Sequence, residues 1–171
     1  MSSATESIIV RPAVEDDLDA IFIMIIKLSD YQKLSRPLMS LASFKRDSGL
    51  TNPDDRKYFE LLVVEETKSK KLIGYALFYY VYKTCTGLMI DFEDFFIESE
   101  YRGSGAGRKL FREVASIALK TNCKGIVLRA LKWNPAVSVY ERFGGKRTAD
   151  ISNESWQFTF DESTLNDLIM S

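Results

Sequence analysis

Histidine is absent from this 171-residue chain. That absence excludes a Ser-His-Asp triad, a Cys-His dyad and any histidine-ligated zinc site. Cysteine is scarce: Cys85 and Cys123 are the whole complement. Two thiols so far apart form neither a disulfide framework nor a cysteine-rich metal centre, so the expectation is a reducing compartment and no metal. Both read as inert rather than nucleophilic. Long apolar runs are missing too. Runs such as Ala20 to Ile26 are far too short to cross a bilayer, and the opening "MSSATES" reads as too polar for a signal peptide. Excess charge of either sign is also lacking: 23 basic against 24 acidic side chains leave a net charge of −1. No basic stripe stands out, so the expectation is no nucleic-acid partner and no membrane partner. The chain reads as cytoplasmic. Acid–base chemistry falls to carboxylates, tyrosine, lysine, cysteine, water or backbone groups.

What is present is ordinary for a globular protein: 46% hydrophobic and 27% charged residues. The length fits one domain over residues 1–171. "SIIVRPA" reads as a first strand. Leu18, Ile21, Phe22, Ile25 and Leu28 then repeat at helical spacing, with Glu15, Asp16 and Asp17 in the first turn, where the helix dipole favours them. Residues 35–57 carry Pro37, Gly49 and Pro53, and predict a short helix with loops. "YFELLVVEE", "LIGYALFYYVYK" and "LMIDFEDFFIE" read as three meandering strands, the first two joined at "KSKK". A helix of about sixteen residues follows, with Leu110, Phe111, Val114, Ile117 and Ala118 as its apolar positions. "KGIVLRALKW" is a strand. "NPAVSVYERFGG" is a short helix that starts near Pro135 and stops at Gly144-Gly145. "ESWQFTFD" is a last strand. The expected class is α/β with a mixed sheet.

"EYRGSGAGRKLFREV" (Glu100 to Val114) joins the third meandering strand to the long helix. It is no Walker A loop, because no Gly-Lys-Ser/Thr follows. It fits the dinucleotide fingerprint poorly, because Arg108 stands three residues after Gly105. Two readings of the loop stay open. Small residues at a helix start let backbone N–H groups converge on an anion. They also suit a plain tight turn.

Two further stretches bear on the choice: "FEDFFIESEYRG" before the loop and "WNPAVSVYERFGG" after it. Together the three resemble the GCN5-related N-acetyltransferase (GNAT) superfamily. There an arginine or glutamine followed by x-x-G-x-G/A cradles the pyrophosphate of acetyl-coenzyme A, a pattern that Arg102, Gly105 and Gly107 fit. The "VRPA", "FEDFF", "YRGxGxG", "WN" and "E-x-W" strings are similar to the spermidine/spermine (diamine) and thialysine acetyltransferase branch, over roughly Ile8 to Asp161.

The resemblance implies a GNAT fold, a mostly antiparallel sheet with strands four and five splayed, and a homodimer. It implies acetyl-coenzyme A as co-substrate, transferring to a primary amine of a small molecule, polyamine or thialysine-like, in a ternary complex. Cofactor contacts fall on Phe96, Ile97, Arg102, Gly103, Ser104, Gly105, Ala106, Gly107, Arg108, Asn134 and Tyr140. A backbone N–H near Phe96 would stabilise the oxyanion. Glu93 is the first candidate for the base, with Asp94 second and Asp91 a weaker addition to the same acidic wall. Glu93, Asp94 and Glu154 would bind the acceptor. Tyr140 is the candidate acid, since a phenol keeps its proton at neutral pH yet can give it to a departing thiolate. Each has a plainer alternative: an ion pair for the carboxylates, core packing for Tyr140, a helix cap for Asn134. Trp133, Phe95 and Phe143 read as packing.

Departures from the branch concern the acceptor. Tyr140 lies six residues after Asn134 where seven are usual, and Ala136 two after it where three are usual. Lys27 and Lys83 stand near positions that are acidic in the branch, and Cys85 near an expected tryptophan. A lysine beside a polycation costs roughly 1 kcal/mol or more per close pair. A smaller amine or a zwitterion is therefore an expected acceptor. A coenzyme A-binding module with little turnover, and a protein-lysine acetyltransferase, are the alternatives.

Overall fold

A computed structural model describes residues 8–33, 39–152 and 154–171. The elements run β1 (Ile8–Pro12), α1 (Leu18–Tyr31), α2 (Leu41–Ser48), β2 (Glu60–Glu66), β3 (Leu72–Lys83), β4 (Gly87–Ile97), α3 (Ala106–Lys120), β5 (Gly125–Leu131), α4 (Ala136–Arg142), β6 (Lys146–Ser152), β7 (Ser155–Asp161) and α5 (Glu162–Met170). The strands order as β1-β2-β3-β4-β5-β7-β6 in a seven-stranded sheet. The β1–β2, β2–β3, β5–β7 and β6–β7 pairings are antiparallel, and β4–β5 is parallel. The mixed α/β class expected from the sequence is the class found. Helix α2 falls in the segment expected to hold one, while residues 35–38 of that segment lie outside the described residues.

Two compact units share the chain: residues 1–78 with 94–111, and residues 79–93 with 112–171. The first buries the apolar face of α1 against β2 and β3. Leu18, Ile21 and Val63 are fully buried there, with Phe44 of α2 and Tyr75 of β3 beside them. The spacing that predicted α1 is the spacing that fills this core. The acidic first turn is a different matter. Glu15–Asp17 form a 3-10 turn ahead of α1, and Asp17 is buried rather than solvated. Its carboxylate accepts from Arg11 Nη1 at 2.7 Å, Arg11 Nη2 at 3.0 Å and the Val14 N–H at 2.8 Å. Glu65 of β2 holds the other side of Arg11, with Nε at 2.8 Å. Two buried carboxylates therefore share one arginine, which the dipole argument alone does not foresee.

The second unit is built on β5, β7 and β6. Ile126, Leu128, Phe158 and Phe160 are buried along the first two strands, and Leu165 and Leu168 of α5 are buried three residues apart. Two elements here went unpredicted. β6 ("KRTADIS") is a polar strand at the end of the sheet order, so no apolar alternation marks it. α5 is short, and its start is set by Asp161, whose carboxylate accepts from the Thr164 N–H at 2.9 Å and its hydroxyl at 2.8 Å. Helix α4 ends as Gly144-Gly145 predicts. Gly144 adopts φ +87°, and the Gly145 N–H reaches back to the Tyr140 carbonyl at 2.9 Å.

Candidate functional site

The glycine-rich loop lies in the first unit, between the end of β4 and α3. Three features shape it. Gly103 and Gly105 have φ +78° and +92°, a region that side chains other than glycine's rarely occupy. The Ser104 hydroxyl donates to the Tyr101 carbonyl at 2.7 Å and accepts weakly from the Ala106 N–H at 3.4 Å. Gly107 sits so close to the sheet that a Cβ would lie 3.3 Å from the Phe95 ring. The first turn of α3 thus begins at a bend of small residues. Its leading N–H groups have no carbonyl a turn earlier in the helix to bind, and the helix dipole adds positive potential there. This is the electrostatics of an anion cradle.

Arg102 does more than carry charge. Its Nε donates to the Ile97 carbonyl at 2.9 Å, and its guanidinium lies 5.4 Å from the Tyr31 ring centroid and 5.9 Å from that of Phe96. These contacts tether the loop to the end of β4. Arg108 is exposed on the first turn of α3. Phe96 and Ile97 are buried, and Gly74 on β3 admits them: a Cβ there would meet the Phe96 carbonyl at 2.6 Å. Phe95 packs edge-on against Phe111, as the packing reading expected. Asp94 accepts a hydrogen bond at 2.9 Å from the hydroxyl of fully buried Tyr75, a residue the sequence did not single out.

Lys27 lies in the same unit. Its ammonium is 2.6 Å from Glu98 Oε1, and that carboxylate is largely buried. The lysine expected to repel a cationic acceptor is therefore matched by a carboxylate.

Glu93 belongs to the second unit, and its company is the main surprise of the structure. Parallel pairing joins Ile90, Asp91 and Phe92 of β4 to Ile126, Val127 and Leu128 of β5. Among the described residues that register stops there, although β4 runs on to Ile97 and β5 to Leu131. Just past its end stands Arg129. Its guanidinium holds Asp91 at 3.0 and 3.5 Å and lies 4.0 Å from Glu93. Asp91 is buried, while Glu93 and Arg129 are half-exposed. Tyr79 faces the same group. Burial, then the charges of Asp91 and Glu93, raise the pKa of its phenol, and Arg129 partly offsets them. Arg129 was visible in the sequence as one cation inside the apolar run "GIVLRAL", but its partner was not.

Asn134 and Tyr140 bracket the start and the body of α4. The Asn134 side-chain oxygen accepts from the Ala136 N–H at 2.9 Å and its carbonyl from the Val137 N–H at 3.0 Å, so the asparagine does cap the helix. Tyr140 is buried, with its ring tilted against Phe158 at 5.7 Å. Its carbonyl closes the helix end, as described above. Glu154 is exposed in the turn between β6 and β7, where its carbonyl accepts from the Lys132 N–H at 2.8 Å. That places it beyond the Leu131–Ser155 pair, whereas Arg129 stands opposite Gln157. Lys83 ends β3, half-buried. Cys85 is an exposed free thiol and Cys123 a buried one. Among the described residues no cluster of His, Cys, Asp or Glu could hold a metal ion, and no helix is long and apolar enough to cross a membrane.

The chain is 34% identical over 171 residues to thialysine N-epsilon-acetyltransferase of Sus scrofa, covering 95% of this chain and 97% of that protein. It is 32% identical to the Mus musculus protein of the same name, covering 93% and 95%. Its fold matches the crystal structure of spermidine N-acetyltransferase from Vibrio cholerae in complex with CoA and spermine, with a TM-score of 0.72, 19% identity, and coverage of 94% and 99%. The sequence profile of the Acetyltransferase (GNAT) family matches residues 25–145, from α1 through the loop to the end of α4. The chain belongs to the acetyltransferase (GNAT) family.

Proposed function

We propose that residues 1–171 form one N-acetyltransferase domain. It moves the acetyl group of acetyl-coenzyme A onto a primary amine of a small molecule, in a ternary complex. The observation that carries this reading is the loop. A bend with Gly103 and Gly105 at positive φ opens α3 directly after β4, within a family match that spans residues 25–145. Backbone N–H groups from Gly103 to Arg108 hold the pyrophosphate, with Arg102 and Arg108 adding charge. Phe96 and Ile97 offer backbone groups to the pantetheine arm and the oxyanion.

The chemistry needs a neutral amine, since a primary amine with a pKa near 10 is mostly protonated at neutral pH. A carboxylate, Glu93 first and Asp94 second, takes the ammonium proton through water. The amine nitrogen then attacks the thioester carbon. A C–N bond forms, the C–S bond breaks, and Tyr140 gives its proton to the leaving thiolate; the second proton, shed by the attacking nitrogen as the amide forms, passes through water and restores the phenol. Asn134 sets the start of α4, which carries Tyr140, and binds the pantetheine amide. Glu154 joins the acceptor contacts. Direct transfer needs no covalent enzyme intermediate and no metal.

Relatives above 30% identity act on thialysine by name, which supports a thialysine-like or related small amine as acceptor, with polyamines the second class to try. A cytoplasmic homodimer completes the reading. The test is a saturating panel of thialysine, lysine analogues, polyamines and arylalkylamines, read by release of coenzyme A. Turnover well above background with at least one small amine is expected. Release at background with every amine overturns the proposal.

A further inference from the structure

Taken together, the charges around Glu93 define more than a candidate base. Asp91 and Glu93 point to one face of β4, two residues apart. Alone they would present two negative charges. Arg129 reaches them from β5, bidentate on Asp91 and within ion-pair distance of Glu93. Asp91 is buried, and Glu93 stays half-exposed. The group therefore offers solvent one net negative charge, carried by Glu93. Lys27, the other charged position expected near the acceptor, is matched by Glu98.

Resting on the acetyltransferase reading above, we propose that Arg129 determines acceptor specificity: by neutralising Asp91, it tunes the Glu93 face to an amine with few positive charges and against polycations. Each additional ammonium on an acceptor gains from each uncompensated carboxylate nearby. At about 7 Å and an effective dielectric near 40, one added elementary charge is worth roughly sevenfold in binding. The sheet sets the distances. Arg129 is fixed by pairing with Gln157 of β7, and Asp91 by pairing with Val127 of β5. Neither element needs to move to hold the pair.

The test is a charge series at two positions. Wild type carries a net −1 on Asp91, Glu93 and Arg129. Arg129→Gln makes it −2, Asp91→Asn makes it 0, and the double variant returns it to −1. The readout is the ratio of kcat/KM for spermine to that for 1,3-diaminopropane. Arg129→Gln should raise the ratio at least fivefold and Asp91→Asn should lower it as much. The double variant should fall within about twofold of wild type. A role in stability alone would move the melting temperature and leave the ratio unchanged. One ratio in all four proteins, or a double variant that tracks either single one, overturns the proposal. Should Arg129→Gln fail to fold, the ratio must still rise from Asp91→Asn to the double variant, which leaves no unpaired buried charge. Calorimetric titration of both amines into the coenzyme A complex reads the same order without turnover. Failure of acetyl transfer therefore remains distinct from failure of this charge rule.

Discussion

Gly103 and Gly105 in the loop and Gly107 in the first turn of α3 do different jobs, and alanine at each should show it. Gly105 adopts φ +92°, so Gly105→Ala meets a backbone penalty of about 1–2 kcal/mol, whatever space surrounds it. The loop relieves that strain by rotating Gly105 toward negative φ, which turns the next N–H groups away from the anion. A hydrogen bond to a charged group is worth about 1.5–3 kcal/mol, so losing one weakens coenzyme A by about 10- to 100-fold. Gly107 is different. It is absent from the positive-φ residues, and its Cβ would point at the Phe95 ring, 3.3 Å away. That contact is tight by a few tenths of an ångström, and the ring end can yield. Gly107→Ala should therefore cost about 1 kcal/mol of stability through packing and leave coenzyme A affinity within about threefold. Gly103→Ala separates strain from contact: φ is +78°, yet a Cβ there meets nothing within 4 Å. It should cost stability as Gly105→Ala does, with a smaller loss of affinity, because it stands further from the helix start. Calorimetry with coenzyme A and denaturant unfolding on the three variants give both readouts. The reasoning fails if Gly107→Ala loses affinity as steeply as Gly105→Ala while unfolding like wild type.

Other expectations follow from single contacts. Tyr140→Phe keeps the ring that packs on Phe158, so its stability should stay near wild type while kcat falls about 100-fold; an unchanged kcat, with chemistry shown to be rate-limiting, removes Tyr140 from the mechanism. Asp161→Ala should cost about 1 kcal/mol at neutral pH by uncapping α5. The Thr164 hydrogen bonds lower the Asp161 pKa to about 2, so this contribution is complete above the unfolded carboxyl's value near 4 and is lost as pH falls from there through 2; the gap between denaturant curves of wild type and variant should narrow over that range, and a gap as wide at pH 2 as at pH 7 refutes the assignment. Asp17→Asn should cost about 2–3 kcal/mol, since Arg11 is left with Glu65 alone. Burial works to raise the Asp17 pKa, and the hydrogen bonds from Arg11 and Val14 outweigh it and leave it lowered, so this contribution too sits above pH 4 and declines below it. Unfolding at pH 7 and pH 3 checks both size and direction, and a penalty that grows at pH 3 would contradict it.

Most of the fold was legible because most elements announce themselves locally. β3 and β4 are long apolar and aromatic runs, α1 and α3 repeat at helical spacing, and Gly144-Gly145 stops α4 where expected. β6 was illegible for a physical reason: an edge strand needs no apolar alternation, and "KRTADIS" gains its strand character from pairing with β7. α5 was illegible because nine residues, with the apolar ones crowded toward its end, carry too little periodicity to count. Asp17 was placed correctly at a helix start, and its role was misread, because the partner that buries it sits on β1.

The same division separates the two halves of the candidate chemistry. Acetyl-coenzyme A recognition depends on backbone conformation over a few consecutive residues, and glycine spacing reports backbone conformation directly. The acceptor side depends on which charges cancel, and cancellation is a matter of contact. Asp91 and Arg129 are 38 residues apart in the chain, and Lys27 and Glu98 are 71 apart. The sequence shows Lys27 and Asp91 as charges but not the partners that match them. In the structure each is matched by an opposite charge, and under the charge rule proposed above the net charge that an acceptor meets is set by Glu93. Under that rule, a sequence-level inventory of acidic and basic positions predicts polyamine preference poorly. Whether a given carboxylate already has a cross-strand arginine is the quantity that decides it.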